Sequence, residues 1–280
     1  MTRQLVVTAD DLGLGPQTNA AVVDLLAEGR ALTATTLMTV APGAADAVAR
    51  VRSAGIAAPR LHVTMTSARE MSPWRPLATD VPTLTDGGGT FHAALGRLTG
   101  TATAVDVARE MTAQLAWMRD AGLPPAALDS HSGILYGARG KSLLTTAIDF
   151  CAEHSLGFRL PRRLPRLVDL AWRGRIRRRY DEGVALAAAR GVRLPETIVG
   201  CWLPGRLLLG YAQLRANVLS QLRQLPDGVS ELILHPAPEG VARRLDPAEG
   251  RKRVWELRLL RDPLFLRTLR SEGIGLVPAW

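Results

Sequence analysis

"VVTADDLGLG", residues 6–15, decides how this chain is read. Val6 to Ala9 form an apolar, β-prone run, and the run ends on two adjacent carboxylates, Asp10 and Asp11, followed at once by a glycine turn. Two like charges closing a buried strand cost several kcal/mol, or force one acid to protonate, unless a cation lies between them. Successive strand residues face opposite ways, so the two acids serve one centre only where the strand has ended. The turn at Gly13 provides that ending. One carboxylate can then grip a divalent ion while the other approaches the water beside it.

Working outward, the same strand-then-helix grammar repeats along the chain. Residues 4–9 predict a strand and Pro16 to Glu28 a helix stopped by Gly29. Strands are expected at 34–40, 60–65, 126–131, 156–161, 196–202 and 231–235, and in the closing IGLVPA. Helices are expected from Pro42 to about Ser53, at 104–121, 142–154, 182–191 and 207–225, and as one long element over 247–272. Residues 67–100 read as a long loop. Strands that alternate with helices from end to end make a mainly parallel sheet buried on both faces. Seven or eight such units in 280 residues fit an irregular (β/α) TIM-like barrel in a single α/β domain, residues 1–280, better than an open sheet.

Composition narrows the rest. With 47% hydrophobic residues the chain can bury one sizeable core. No signal-peptide pattern and no apolar run of membrane-spanning length is visible, and Cys151 and Cys201 make no disulfide framework, so a reducing, cytoplasmic setting is expected. The net charge of +9 is almost all arginine, lysine occurring only at Lys141 and Lys252. Nine arginines fall between Arg159 and Gly183, which marks an Arg-rich insertion at about 160–182. That segment reads as a solvated face, as a lid gripping a phosphate-linked sugar, or as a peripheral contact with an anionic membrane through Leu167, Val168, Leu170, Trp172 and Ile176. No nucleic-acid module or aromatic stacking platform accompanies the charge, so nucleic acid is excluded as a partner.

In parallel α/β folds chemistry collects where strands end. Asp10 and Asp11 end the first strand, His62 lies in or at the end of the third, Asp129 and His131 end the next, Arg159 sits in GFRLP, and His235 ends ELILH. Barrel closure would bring these onto one rim, where two imidazoles and a carboxylate form a facial set for a divalent metal with open positions.

The motifs TADDLGL with a following Asn19, LHVTMT, LDSH and LHP resemble the YdjC/ChbG-type carbohydrate deacetylases, which include the hopanoid-associated HpnK branch. The likeness runs over nearly the whole chain in the family's order. It implies an irregular (β/α) barrel and metal-dependent removal of an acetyl group from an N-acetylated sugar, giving acetate and an amino sugar. Carried over position by position, it makes Asp11, His62 and His131 the metal ligands, Asp10 the general base and His235 the acid near the scissile bond. It places Arg159 against substrate and Asp129 behind a ligating histidine; the Asp129 carboxylate reads equally as a turn or cap. Thr66, after His62, is a candidate for hydrogen bonding to substrate, and Trp74 and Trp202 for stacking on a sugar face.

One departure is visible. The family's D-S-H-x-H-x-H pattern reads DSHSGILYG here, with Ser132, Gly133 and Tyr136 after His131. The resemblance therefore carries the metal further than it carries the sugar, which is expected to be N-acetylated and phosphate- or lipid-linked. Family likeness points to Mg2+; a His2Asp set on ligand grounds points to Zn2+ or another transition ion. The competing readings are a metal-dependent hydrolase of another bond, such as a phosphoester, and a non-catalytic metal- or sugar-binding protein. A pure binder needs neither a base nor an acid, yet both Asp10 and His235 are present beside the ligands.

Overall fold

The first strand, β1 (Arg3–Leu12), is buried from Leu5 through Leu12, which is the pattern of a strand covered on both faces. The computed structural model describes residues 2–66, 73–137, 142–164, 169 and 174–280. β1 is the hub of the sheet. It pairs with β2 (Ala34–Leu37) on one edge and β7 (Gly228–Leu234) on the other, and β8 (Gly275–Leu276) joins it at Gln4 and Leu5. β3 (Arg60–Val63), β4 (Ala127–Ser130) and β5 (Gly157–Phe158) extend the β2 side, and β6 (Ile198–Val199) extends the β7 side. Every pairing is parallel, in the order β5-β4-β3-β2-β1-β7-β6. The two outer strands approach without forming a ladder. Backbone bonds from Phe158, Arg162 and Arg163 to the carbonyls of Arg193, Pro195 and Glu196, 2.9 Å each, link the edges. The result is an irregular, barrel-like parallel sheet wrapped by helices, as the strand–helix alternation predicts.

The helices among the described residues are α1 (Pro16–Glu28), α2 (Ala44–Ser53), α3 (Leu95–Thr101), α4 (Ala104–Asp120), α5 (Leu144–Glu153), α6 (Gly174–Ala189), α7 (Tyr211–Leu222), α8 (Glu239–Ala242), α9 (Pro247–Leu259) and α10 (Pro263–Ser271). One hydrophobic core runs from Leu5 to Ile274 between them and the sheet. Cys151 and Cys201 are free and buried in it.

Several boundaries differ from the sequence reading, each for a local reason. The expected helix over 247–272 is two helices, because Pro263 cannot donate to the preceding turn and the Asp262 carboxylate caps Leu264 N at 2.7 Å instead. The expected loop 67–100 carries a 3₁₀ turn at Pro82–Leu84 and the short α3 among its described residues. α6 begins at 174, eight residues before the expected helix, so much of the basic run from Arg175 onward is helical. The membrane-contact residues Leu167, Val168, Leu170 and Trp172 lie outside the described residues; Ile176 is half-buried on α6. No helix among the described residues is long and apolar enough to cross a membrane.

The difference with most consequence is at β1. The strand does not stop at Ala9: it carries Asp10 and Asp11 within it, and its register against β2 slips between Ala9 and Leu12. Asp11 takes a left-handed φ of 69° at this bulge. The irregularity, rather than a strand end, turns the two neighbouring carboxylates toward one place. Gly13 then completes the turn at φ 99°, where a Cβ would lie 2.9 Å from the Met38 carbonyl oxygen, so only glycine fits. Asn19 pins it: its Oδ1 accepts from Gly13 N at 2.8 Å, and its amide donates to Gly43 O and Asp46.

Candidate active site

Strand register assembles the site. His62 pairs with Asp129 across β3 and β4, and Ala9 pairs with Leu234, which sets Asp10 beside His235. Period-two alternation puts Thr8 with Asp10, Arg60 with His62, and Glu231 with His235 on common strand faces. Two neighbouring loops are clamped from α4 and the long connection. Gln114 bonds both the N–H and the carbonyl of Thr64, at 3.1 and 2.7 Å, and the Thr66 hydroxyl donates to His92 O at 2.6 Å. Thr66 is thus engaged in holding the loop that carries His92.

Asp11, His62 and His131 converge. Asp11 Oδ1 lies 3.3 Å from His62 Nε2 and 3.3 Å from His131 Nδ1, and those two nitrogens are 3.3 Å apart. Three ligand atoms at about 2.0–2.2 Å from one ion, spread at a tetrahedral angle, would stand about 3.3–3.6 Å from one another. The triangle fits a first-row divalent ion, and the donor chemistry, two imidazoles and one carboxylate oxygen, fits it too. Asp11 Oδ1 is buried and accepts no well-formed hydrogen bond, an arrangement that a cation would satisfy. Behind the triangle, Asp129 Oδ1 stands 2.7 Å from His62 Nδ1, which fixes the proton on that nitrogen and leaves Nε2 facing Asp11. A second set, Asp10, His62 and Asp129, also lies close enough to share an ion, but His62 Nδ1 is already taken by Asp129 and both Asp10 oxygens by Arg159.

The charges are interlocked. Asp10 receives Arg159 in bidentate fashion at 2.7 and 2.9 Å and the Thr36 hydroxyl at 3.0 Å. Burial alone would raise its carboxyl pKa; Arg159, with His62 and His235 nearby, holds it well below the usual carboxylate range. Burial likewise opposes ionisation of Asp11, but Arg253, 2.8 Å away, and the two imidazoles keep it ionised. Burial works against charge on His62, yet Asp129, Asp11 and Asp10 raise its pKa to about 10. Arg159 also contacts Asp129 and Glu231, and Arg60 pairs with Glu231. Four carboxylates (Asp10, Asp11, Asp129, Glu231) thus face three guanidiniums (Arg60, Arg159, Arg253), and the cluster balances only with one more positive charge. A proton on His62 supplies it here; a divalent cation in the triangle would displace that proton.

A cleft of about 410 Å3 opens over Asp10, His62, Arg159 and His235. The His235 side chain is 40% exposed, and its Nε2 lies 3.8 Å from Asp10 Oδ2. Glu256 anchors the His235 backbone N–H at 2.7 Å. The remaining walls are largely apolar, with Leu160, Leu164, Tyr180, Ile198, Trp202 and Ile233 among them. Ser132 and Gly133, at the family departure, both take left-handed φ and form part of the floor. Of the two candidate stacking residues, Trp202 borders the cleft, whereas Trp74 is buried with its ring 6.4 Å from that of His131. A larger cavity, about 520 Å3, lies at the opposite end of the strands and is not lined by Asp10, Asp11 or Asp129.

The structure brings Asp10, Asp11, His62, Asp129, His131, Arg159 and His235 into one site. It also shows four residues that sequence reasoning passed over: Thr36, Arg60, Glu231 and Arg253. Glu231 had a signal, since it stands four residues before His235 in one strand and so faces the same way. Arg253 had none, lying on a helix remote in sequence from Asp11.

The chain is 28% identical over 278 residues to a carbohydrate deacetylase of Geobacillus stearothermophilus, covering 99% of this chain and 97% of the relative. It is 33% identical to a carbohydrate deacetylase of Brevibacillus brevis over 128 residues, 46% of this chain and 48% of that one. A crystal structure from Enterococcus faecalis V583, provisionally described as a cellobiose-phosphate cleavage protein, superposes with a TM-score of 0.75 over 99% of this chain and 97% of that one; at 21% identity it shows a shared fold. The family model described as YdjC-like protein matches residues 4–271, and the chain belongs to that family.

Proposed function

We propose that this protein is a metal-dependent carbohydrate N-deacetylase. The observation that carries the reading is the 3.3 Å triangle of Asp11 Oδ1, His62 Nε2 and His131 Nδ1 beside an ion-paired Asp10 and a half-exposed His235. Full-length likeness to a carbohydrate deacetylase supports the substrate class. Asp11, His62 and His131 would hold the ion, which when bound would acidify water and polarise the acetamide carbonyl. Asp10, locked by Arg159 and Thr36, accepts the proton of the attacking water. His235 stands on the open side of Asp10, where it can protonate the departing amine, a group that leaves poorly as an anion. Arg159 fixes the angle of Asp10; with its guanidinium held by Asp10, Asp129 and Glu231, it works as a positioning residue rather than as a sugar contact. The donor set favours zinc or a similar transition ion over magnesium.

The cleft favours a sugar with an apolar substituent over a phosphorylated one. Among the described residues lining it, Arg159 is the single arginine, and carboxylates engage it. The walls that remain suit hydrocarbon, in line with a lipid-linked substrate.

The test is acetate release from a panel of N-acetylglucosamine derivatives (free, 1-phosphorylated and alkyl-linked) with and without chelator. Acetate released only with metal, and fastest from the alkyl glycoside, is expected. Phosphate release without acetate would overturn the deacetylase reading.

A linked outcome concerns protons. His62, with its folded pKa raised to about 10, stabilises the metal-free protein fully below its unfolded value, and that contribution fades as pH rises toward 10. Metal must displace this proton, so affinity is expected to rise about tenfold per pH unit across the interval. Titration calorimetry in buffers of different ionisation enthalpy is expected to report about one proton released per ion near pH 7.5. Release of none would mean that the ion does not displace a proton from His62.

A further inference from the structure

A buried chain of hydrogen bonds and one ion pair runs from the far end of the barrel to the base. We propose that Glu231 and Trp280 are positioning residues for the reaction, acting on Asp10 through Arg159. The inference rests on Asp10 serving as base in the reading above.

Glu231 is fully buried on β7 and uses both its oxygens. Oε1 accepts from the Thr8 hydroxyl at 2.6 Å and faces Arg159 Nη2 at 2.8 Å and Arg60 Nη2. Oε2 accepts from the Trp280 indole Nε1–H at 2.7 Å. The same Arg159 nitrogen, Nη2, then bonds Asp10 Oδ1 at 2.9 Å while Nη1 bonds Oδ2. Trp280 is therefore three polar contacts, a hydrogen bond to Glu231, the Glu231–Arg159 ion pair and the bidentate bond to Asp10, from the carboxylate that takes the proton.

The placement of Trp280 is built in. A Cβ at Gly157 would stand 2.6 Å from indole Cζ3, so β5 carries a glycine where the ring packs. The Arg60 guanidinium sits over the ring, 5.3 Å from its centroid. Trp280 also walls the cavity at the opposite end of the strands. The N–H decides how Glu231 is used. With Oε2 occupied by the indole, Oε1 alone is left to hold the two guanidiniums, and Arg159 keeps both forks on Asp10. Without that N–H a buried anionic oxygen lacks its donor. The carboxylate is then free to turn both oxygens onto Arg159, drawing it away from the bidentate geometry. If Glu231 served only to neutralise the arginines, the indole N–H would be irrelevant to turnover.

Trp280→Phe keeps an aromatic side chain but removes the indole N–H, together with the outer ring carbons that lie against Gly157. It is expected to lower kcat roughly three- to tenfold, and Glu231→Gln to lower it roughly 10–100-fold, with KM and bound metal unchanged in both. A W280F enzyme with wild-type kcat would overturn the proposal, and so would a loss of kcat that follows a loss of metal. A second readout does not depend on activity. In protein labelled with 15N at its tryptophans, the indole resonance absent from W280F is that of Trp280. It is expected to shift in Asp10→Asn while the indole of Trp117, on α4 and not among the residues lining the cleft, does not; no shift would overturn the relay even if E231Q failed to fold. A wild type that releases no acetate would instead overturn the deacetylase reading, and the resonance would still decide the coupling.

Discussion

Asp11→Asn is expected to empty the metal centre and to cut acetate release by roughly a thousandfold or more, since a Lewis-acid ion supplies several kcal/mol of transition-state stabilisation. Asparagine matches aspartate in shape but carries no charge, and the cluster loses the anion that faces Arg253 and both imidazoles. The balance of four carboxylates against three guanidiniums becomes three against three, so the site no longer calls for an added positive charge. His131→Ala gives an independent check. His131 sits at the rim of the triangle with its side chain 14% exposed, whereas the Asp11 carboxylate is 2% exposed, so its truncation perturbs the core less. Metal content by mass spectrometry and fold by circular dichroism separate loss of the ion from loss of structure. Stoichiometric metal and normal turnover in either variant would remove Asp11, His62 and His131 as the ligand set.

The route from sequence to site was open in some places and closed in others. The alternation of strand and helix, and the habit of polar residues to sit where parallel strands end, were enough to gather Asp10, Asp11, His62, Asp129, His131 and His235. Sequence could not show how two adjacent acids turn toward one centre, because that depends on a bulge at Asp11 with φ 69°, and aspartate carries no signature for such a conformation. It could not show Arg253, since the helix bearing it reaches Asp11 only through the packing of α9 across the strand ends. The role of Arg159 changed for a similar reason. GFRLP marks an arginine near the site, but whether it meets substrate or carboxylates depends on three acids brought in from β1, β4 and β7. Helix boundaries failed where one residue outweighed periodicity, as Pro263 did within the apolar repeat of 247–272. Of the Arg-rich insertion, the residues up to Leu164, Asp169 and the helical part from Gly174 onward are described.

Asp10→Asn is expected to separate binding of the ion from chemistry: metal retained, kcat lowered roughly 10²–10⁴-fold, KM little changed. The two acids differ in what holds them. Asp11 faces imidazole nitrogens, whereas Asp10 is gripped by Arg159 and Thr36 and looks onto the cleft and His235. A carboxylate whose pKa Arg159 and its neighbours hold well below the usual range stays ionised through any working pH, so an acidic limb in the activity profile would not belong to Asp10. The sign follows from linkage. A depressed carboxyl gives stability above its unfolded pKa of about 3.9 and loses it only as pH falls through the folded value. Such a carboxylate is a weak base on its own and becomes an effective one only when the water it faces has been made acidic. That is why the two halves of the site must act together, and why removing the Asp10 charge should cost turnover while leaving the triangle intact. An amide at this position cannot take a proton, and its Nδ2 would point donor to donor at one arm of Arg159, so some loss of stability should accompany the loss of rate. The discriminating quantity is the ratio of bound metal to kcat. If D10N turned over at the wild-type rate with full metal, Asp10 would be only an anchor for Arg159, and the base would have to be sought elsewhere on the cleft, first at His235.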